Sequence, residues 1–130
     1  RTLVETLAGL KAEGVLKHDV LVGSLNVFGR TLTIDRKQRR GRDHNSRHHA
    51  TVLIREGIKP SVVGGIVRGK REWEATGFNS NDGKMNPEGD IPYEETFPAV
   101  AKTIGHAMGI GNEALDEAII GGKVVQAAVE

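Results

Sequence analysis

The fold prediction rests on a short apolar run that begins at a charged residue, Asp19-Val20-Leu21-Val22-Gly23-Ser24-Leu25. Such a run is typical of a strand that is covered on both faces, as in a parallel sheet. Residues 2–13 precede it and predict an amphipathic helix, since their leucines recur at helical spacing and Thr2 can cap the first turn. A helix that leads into a buried strand indicates an α/β protein. We therefore expect a mostly parallel sheet flanked by helices.

Further elements follow this run along the chain. Residues 50–55 predict a second buried strand, and 62–69 predict a strand, or a pair of strands with a turn. Residues 70–92 carry Gly, Asn, Asp and Pro without a period, so we expect a long surface excursion there.

Two helices are expected near the end of the sequence. The first is capped by Thr96 and ends at Gly109, and a shorter one covers roughly 113–119. The chain begins at Arg1 rather than at Met, and we interpret it as a piece of a longer protein. The simplest organisation is a single α/β domain over residues 1–130.

Charge is segregated along the chain although the formal net charge is only +1. The segment 30–47 has seven Lys or Arg against two acidic residues, whereas 72–95 has seven Asp or Glu against one Lys. Such polarity indicates that the two segments meet, that copies pair into a homo-oligomer through them, or that one faces an anion. No aromatic residue interleaves the basic segment, which argues against nucleic-acid binding. No apolar run reaches the roughly 20 residues that a membrane span requires, so no membrane contact is expected.

Five motifs carry a family resemblance through their order and spacing. They are Phe28-Gly29-Arg30-Thr31, Gly41-Arg42-Asp43-His44-Asn45, Gly57-Ile58-Lys59, Val62-Val63-Gly64 and Ile104-Gly105-His106-Ala107-Met108-Gly109-Ile110. In this order the chain resembles the C-terminal region of the sulfatase-like family called domain of unknown function 1501, in the alkaline phosphatase/sulfatase superfamily. The similarity is collinear over nearly the whole chain, apart from the 70–92 excursion.

The resemblance implies a two-metal, phosphatase-like site at the C-terminal edge of a parallel sheet. In that superfamily an N-terminal half supplies a Ser or Thr nucleophile and several carboxylate ligands, and the C-terminal half adds Asp and His ligands. The chain would be the second half only, and its parent family is often exported, which makes an extracytoplasmic location an expectation.

Two departures from the family pattern count against catalysis. The family has a Glu directly before Phe-Gly-Arg-Thr, where this chain has Val27 preceded by Asn26. Valine cannot coordinate a metal, and a neutral amide is a weak oxygen ligand. No upstream nucleophile segment is present either, so we expect an eroded metal site in a chain that is inactive alone.

The candidate metal ligands are Asp43 and His44, since carboxylate oxygen and imidazole nitrogen suit zinc or manganese. The alternative is that Asp43 pairs with Arg42 or Arg40 while His44 is a solvated loop residue. The candidate anion-binding residues are Arg30, Arg42 and His48, because guanidinium groups grip phosphate and sulfate with paired donors.

Two functions are open at this point. The first is the C-terminal part of a metal-dependent phosphate or sulfate ester hydrolase that acts on a small anionic substrate. The second is a non-catalytic binding or assembly module that has kept the fold and lost the chemistry, which Val27 and the charge segregation favour.

Overall fold

The computed structural model describes residues 2–15, 20–34 and 41–130 of the chain. Within these ranges there are three α-helices and six short strands. They are α1 (Leu3–Ala12), β1 (Val22–Ser24), β2 (Gly29–Arg30), β3 (His44–Asn45), β4 (Val52–Ile54), β5 (Ile66–Arg68), β6 (Trp73–Ala75), α2 (Thr96–Ala107) and α3 (Asn112–Ala118). Short 3₁₀ turns cover Tyr93–Glu95 and Gln126–Ala128.

The predicted mostly parallel sheet flanked by helices is wrong. The strands of the described ranges form three separate two-stranded pairs, β1 with β4, β2 with β3 and β5 with β6, and every pair is antiparallel. The apolar run is not covered on both faces, because Gly23 and Ser24 are exposed. Asp19 lies outside the described residues. An apolar run indicates that a strand is buried, but it does not indicate whether the neighbouring strand runs parallel or antiparallel to it. The antiparallel pairing was not predicted for this reason.

The helices agree with the sequence predictions to within two residues at most ends. Helix α1 begins after Thr2, whose side chain accepts from the N–H of Glu5 while the Glu5 side chain accepts from the N–H of Thr2. This reciprocal capping satisfies two donors that the first turn leaves open. Helix α1 nevertheless buries no residue fully, so its stability depends little on packing against the described residues.

The core forms around α2 and the C-terminal tail. One cluster consists of Phe78, Ile91, Ala99 and Val125, and a second consists of Ala107, Leu115, Val124 and Val129. The Thr103 hydroxyl donates to the Ala99 carbonyl at 2.6 Å and accepts from the Val125 N–H at 2.9 Å. This buried hydroxyl therefore ties the tail to α2.

The 70–92 segment differs from the surface excursion expected from its composition. Phe78 and Ile91 are buried, with Ile91 fully inaccessible to solvent. Phe78 forms antiparallel bridges with Met85 and with Ile91. Gly83, with φ of +70°, lies in the turn between Phe78 and Met85. The turn residues are frequent because this segment folds back on itself repeatedly. The side chains of Phe78 and Ile91, which lie between the turns, are part of the core.

The tail closes on residues far earlier in the chain. The N–H of Lys59 donates to the Ala128 carbonyl at 2.9 Å, and the N–H of Glu130 donates to the Gly57 carbonyl at 3.1 Å. Ile58 and Val129 face each other in an antiparallel bridge. The second core cluster is therefore completed by the last residues of the tail.

Candidate functional site

A two-stranded ribbon of β2 and β3 carries most of the residues that the sequence analysis assigns to metal or anion binding. Its register pairs Arg30 with His44. It continues one residue further, because the Thr31 N–H donates to the Asp43 carbonyl at 2.9 Å and the Asp43 N–H donates to the Thr31 hydroxyl at 3.0 Å. Successive side chains of an extended strand point to opposite faces, so each face of the ribbon presents its own set.

The outer face of the ribbon consists of Phe28, Arg30, Arg42 and His44, all of them exposed. The rings of Phe28 and His44 stack with centroids 3.9 Å apart, and Cζ of Arg30 lies 5.7 Å from the centroid of Phe28. Nη1 of Arg30 donates to the Arg42 carbonyl at 3.5 Å. Arg42 precedes His44 by two residues, which places it on the same face. One guanidinium group and one imidazole thus contact the Phe28 ring, and Arg42 lies further along the same face.

The inner face anchors the ribbon on strand β6. Asn45 is only 6% exposed, and its Nδ2 donates to the Trp73 carbonyl at 2.8 Å while its Oδ1 accepts from the Arg47 N–H at 2.9 Å. A Cβ at Gly29 would stand 2.5 Å from the His48 carbonyl oxygen and 2.6 Å from the His48 ring. Only glycine, which has no Cβ, lets β2 lie this close to the backbone and the ring of His48.

His48 lies on the inner side and does not join Arg30 and Arg42. Its ring is half-buried, and Nδ1 is 3.3 Å from the Trp73 carbonyl oxygen. The neighbouring His49 stacks on Phe97 with centroids 4.4 Å apart. The imidazole that stands beside the two arginines is that of His44, which the sequence analysis assigns to metal binding instead.

The predicted metal ligands Asp43 and His44 are adjacent in extended backbone, so their side chains point to opposite faces. Val27, at the expected glutamate position, has an 87% exposed side chain, and Nδ2 of Asn26 donates to the Ala50 carbonyl at 2.6 Å. Among residues 2–15, 20–34 and 41–130, no three His, Asp or Glu side chains are grouped to hold a metal ion. These residues alone do not fit a paired-metal centre.

The basic and acidic segments meet within a single chain. Nη1 of Arg47 lies 3.0 Å from Oε2 of Glu74 in an ion pair. The carboxylate of Glu72 accepts from the Trp73 N–H at 2.9 Å and from the Thr33 N–H at 3.1 Å, and these bonds, the first above all, lower its pKa. Four further members of the basic segment lie outside the described residues: Arg36, Lys37, Arg39 and Arg40.

Sequence reasoning missed the role of Phe28 as the platform of the outer face. A usable signal existed, because Phe28 and Arg30 are two residues apart, as are Arg42 and His44, and a period of two predicts a common face in paired strands. No comparable signal marks Asn45, whose partner Trp73 is remote in sequence.

Comparison with family models, with curated proteins and with solved structures finds no match to the chain. The resemblance to the sulfatase-like family therefore stays a prediction. In the part of the chain that the structure describes, no helix combines the length and the apolar character needed to cross a bilayer.

Proposed function

We propose that the chain is a binding module whose outer face holds the phosphate or sulfate group of a small ester. The observation that carries the proposal is the cross-strand pair of Arg30 and His44, with Arg42 beside His44 on the same face. Directly opposed residues on one face of an antiparallel pair have Cβ atoms about 5 Å apart, within reach of one tetrahedral anion.

The chemistry of these groups suits an oxyanion. Each guanidinium offers a planar fork of N–H donors that matches two oxygens of phosphate or sulfate, and the imidazole adds a further donor. Contacts of Phe28 with the His44 ring and with the Arg30 guanidinium restrict both side chains before any ligand arrives. Side chains that are already ordered lose less entropy on binding, which supports affinity at this exposed site.

Acidic groups near the ribbon leave the outer face cationic. Asp43 points to the inner face, Glu74 is paired with Arg47, and Glu72 accepts hydrogen bonds from Trp73 and Thr33. Because the outer face is open to solvent, its attraction for anions is screened by salt and each contact is modest.

Titration of the chain with inorganic phosphate and inorganic sulfate, at constant ionic strength against chloride, tests the proposal. Chemical-shift changes are expected at Arg30, His44 and Arg42. Arg30→Gln and Arg42→Gln should each weaken binding about threefold to tenfold, as expected for one charge-assisted contact at an exposed site. Lys59→Gln is the control, since Lys59 is an exposed cation whose backbone N–H donates to the Ala128 carbonyl in the tail. Equal losses in all three variants, or no saturable shift, would show that the proposal is wrong.

The metal-dependent hydrolase is a second proposal, favoured by the exposure of both Asp43 and His44 at the start of β3. Further zinc or manganese ligands and a nucleophile would have to come from elsewhere in a longer protein. Metal analysis separates the two proposals. Stoichiometric zinc or manganese that is lost in both Asp43→Ala and His44→Ala supports the hydrolase and contradicts a non-catalytic module, whereas metal-free protein that binds phosphate supports the module.

Pairing of copies through the basic segment 30–47 and the acidic segment 72–95 is a further part of the binding-module proposal. The ion pair of Arg47 with Glu74 uses some of this charge within one chain, and the remaining cations of the outer face stay open to a second copy. Sedimentation velocity should show an oligomer at low salt that dissociates at high salt. A sedimentation coefficient that does not change with salt would rule out this mode of assembly.

A further inference from the structure

A second polar site, unrelated to the ribbon, lies between the 80–90 loop, helix α3 and the tail. It is a cleft of about 350 Å³, at the lower end of the range that small-molecule sites occupy. The lining residues come from these three segments: Ser80, Asn81, Asp90, Asn112, Leu115, Asp116, Gly122, Lys123, Val124 and Gln126. Leu115 and Val124 are buried and form a small apolar floor.

Charges in and under the cleft are balanced in two ion pairs. Oδ2 of Asp90 lies 3.2 Å from Nζ of Lys123, and Oδ1 of Asp116 lies 2.6 Å from Nζ of Lys102. The side chain of Lys102 is only 6% exposed, so its ammonium neutralises Asp116 from beneath the surface. Each carboxylate therefore has its own cation, and an ionic ligand of either sign would meet one repulsive partner for every attractive one.

Hydrogen-bonding capacity remains available in both directions. The side chains of Lys123 and Asp116 are 59% and 69% exposed, so each keeps polar atoms open to a ligand beyond its ion pair. Asn81 and Gln126 add amides, and an amide both donates and accepts, whereas Oδ1 of Asn112 already lies 3.0 Å from Nδ1 of His106. Asp90 is held rigidly, because its two oxygens accept from the N–H and the hydroxyl of Ser80 at 2.7 Å each.

We propose that this cleft binds a neutral polyhydroxylated molecule of monosaccharide size. A hydroxyl group donates one hydrogen bond and accepts others, so a ring of hydroxyls can satisfy carboxylates, ammonium and amides together. A neutral ligand also leaves both ion pairs intact. The apolar floor of Leu115 and Val124 offers a surface for the C–H face of a sugar ring.

The test uses three hexoses that share one ring and differ in charge: glucose, glucosamine and glucose 6-phosphate. Each is titrated into ¹⁵N-labelled chain, and amide shifts are followed at the cleft and at the outer face of the ribbon. Glucose is expected to give saturable shifts at Asn81, Asp116 and Gln126, and both charged sugars should bind the cleft more weakly. Shifts from glucose 6-phosphate at Arg30 and His44 report the ribbon separately, so the two proposals fail independently.

Variants sharpen the test without disturbing the core. Asn81→Ala and Gln126→Ala remove exposed amides, and each should weaken glucose binding about threefold to tenfold, as for the loss of one hydrogen bond. Glu117→Ala is the control, since Glu117 is exposed on α3 and does not line the cleft. The proposal is overturned if glucose gives no saturable shift, if either charged hexose binds the cleft more tightly, or if the control weakens binding equally.

Discussion

Replacement of Gly122 by alanine should destabilise the chain far more than the same change at its neighbour Gly121. Both glycines have left-handed backbone, with φ of +66° and +72°. An alanine in that region costs about 1–2 kcal/mol at either position. At Gly122 the new Cβ would also stand 2.7 Å from the carbonyl carbon and 2.8 Å from the Cβ of Pro98, and against the backbone nitrogen of Ala99. The nearest atom to a Cβ at Gly121 is the Cδ of Glu95 at 3.4 Å, an ordinary contact.

The clash at Gly122 involves backbone of α2, which cannot move aside as a flexible side chain does. Overpacking of this kind adds about 1–3 kcal/mol, so Gly122→Ala should lose about 2–5 kcal/mol in total against about 1–2 for Gly121→Ala. Urea unfolding followed by far-ultraviolet circular dichroism measures both losses. Equal destabilisation of the two variants would refute the reasoning, since it would mean that the tail does not press against Pro98 and Ala99.

Three other predictions concern the cleft and the ribbon. Hydrogen bonds from the backbone N–H and the hydroxyl of Ser80 hold the pKa of Asp90 at about 2, below its ordinary 3.8. The ionised Asp90 therefore adds about 1 kcal/mol, after allowance for solvent screening, to the free energy of unfolding above pH 3.8, and this contribution is lost as the pH falls towards 2. Asp90→Asn should make the free energy of unfolding depend less on pH over that window. Asp116→Ala leaves the ammonium of Lys102 buried with the Gly122 carbonyl as its remaining acceptor, and should lower the free energy of unfolding in urea by about 1–3 kcal/mol. The double variant with Lys102→Met should recover most of that loss. Gly29→Ala drives a Cβ into the His48 backbone and should abolish phosphate binding at the outer face while cleft shifts with glucose persist; retention of phosphate binding would show that ribbon geometry is not needed.

The helices could be predicted from sequence because their signals are local. Thr2 and Glu5 sit three residues apart and cap each other, and Gly109 adopts the left-handed conformation just past α2. Thr96 behaves differently from the prediction, since its hydroxyl donates to the Tyr93 carbonyl in a preceding 3₁₀ turn. The signals gave the presence of each helix more reliably than its first residue.

The sheet could not be predicted because strand pairing is a long-range property. Val22 pairs with Ile54 across 31 intervening residues, and nothing in the apolar run specifies that the partner runs antiparallel. The site was reached only in part for the same reason. Arg30, Arg42 and His48 were predicted together as anion-binding residues, and their role stays a prediction. Which histidine lies on the face of the two arginines depends on the register, because a shift of one residue reverses the face.

Closure of the tail has a consequence for synthesis of the chain. Ala107 and Leu115 are synthesised before Val124 and Val129, the two tail residues that pack against them. Ile58 is synthesised earlier still, and its bridge partner is Val129. On a translating ribosome the apolar surface of α2 and α3 therefore stays open to water until residues 124–130 have emerged. Nascent chains that stop short of the tail should engage chaperones or aggregate, and cooperative protection of α2 against hydrogen exchange should appear only once the tail is added.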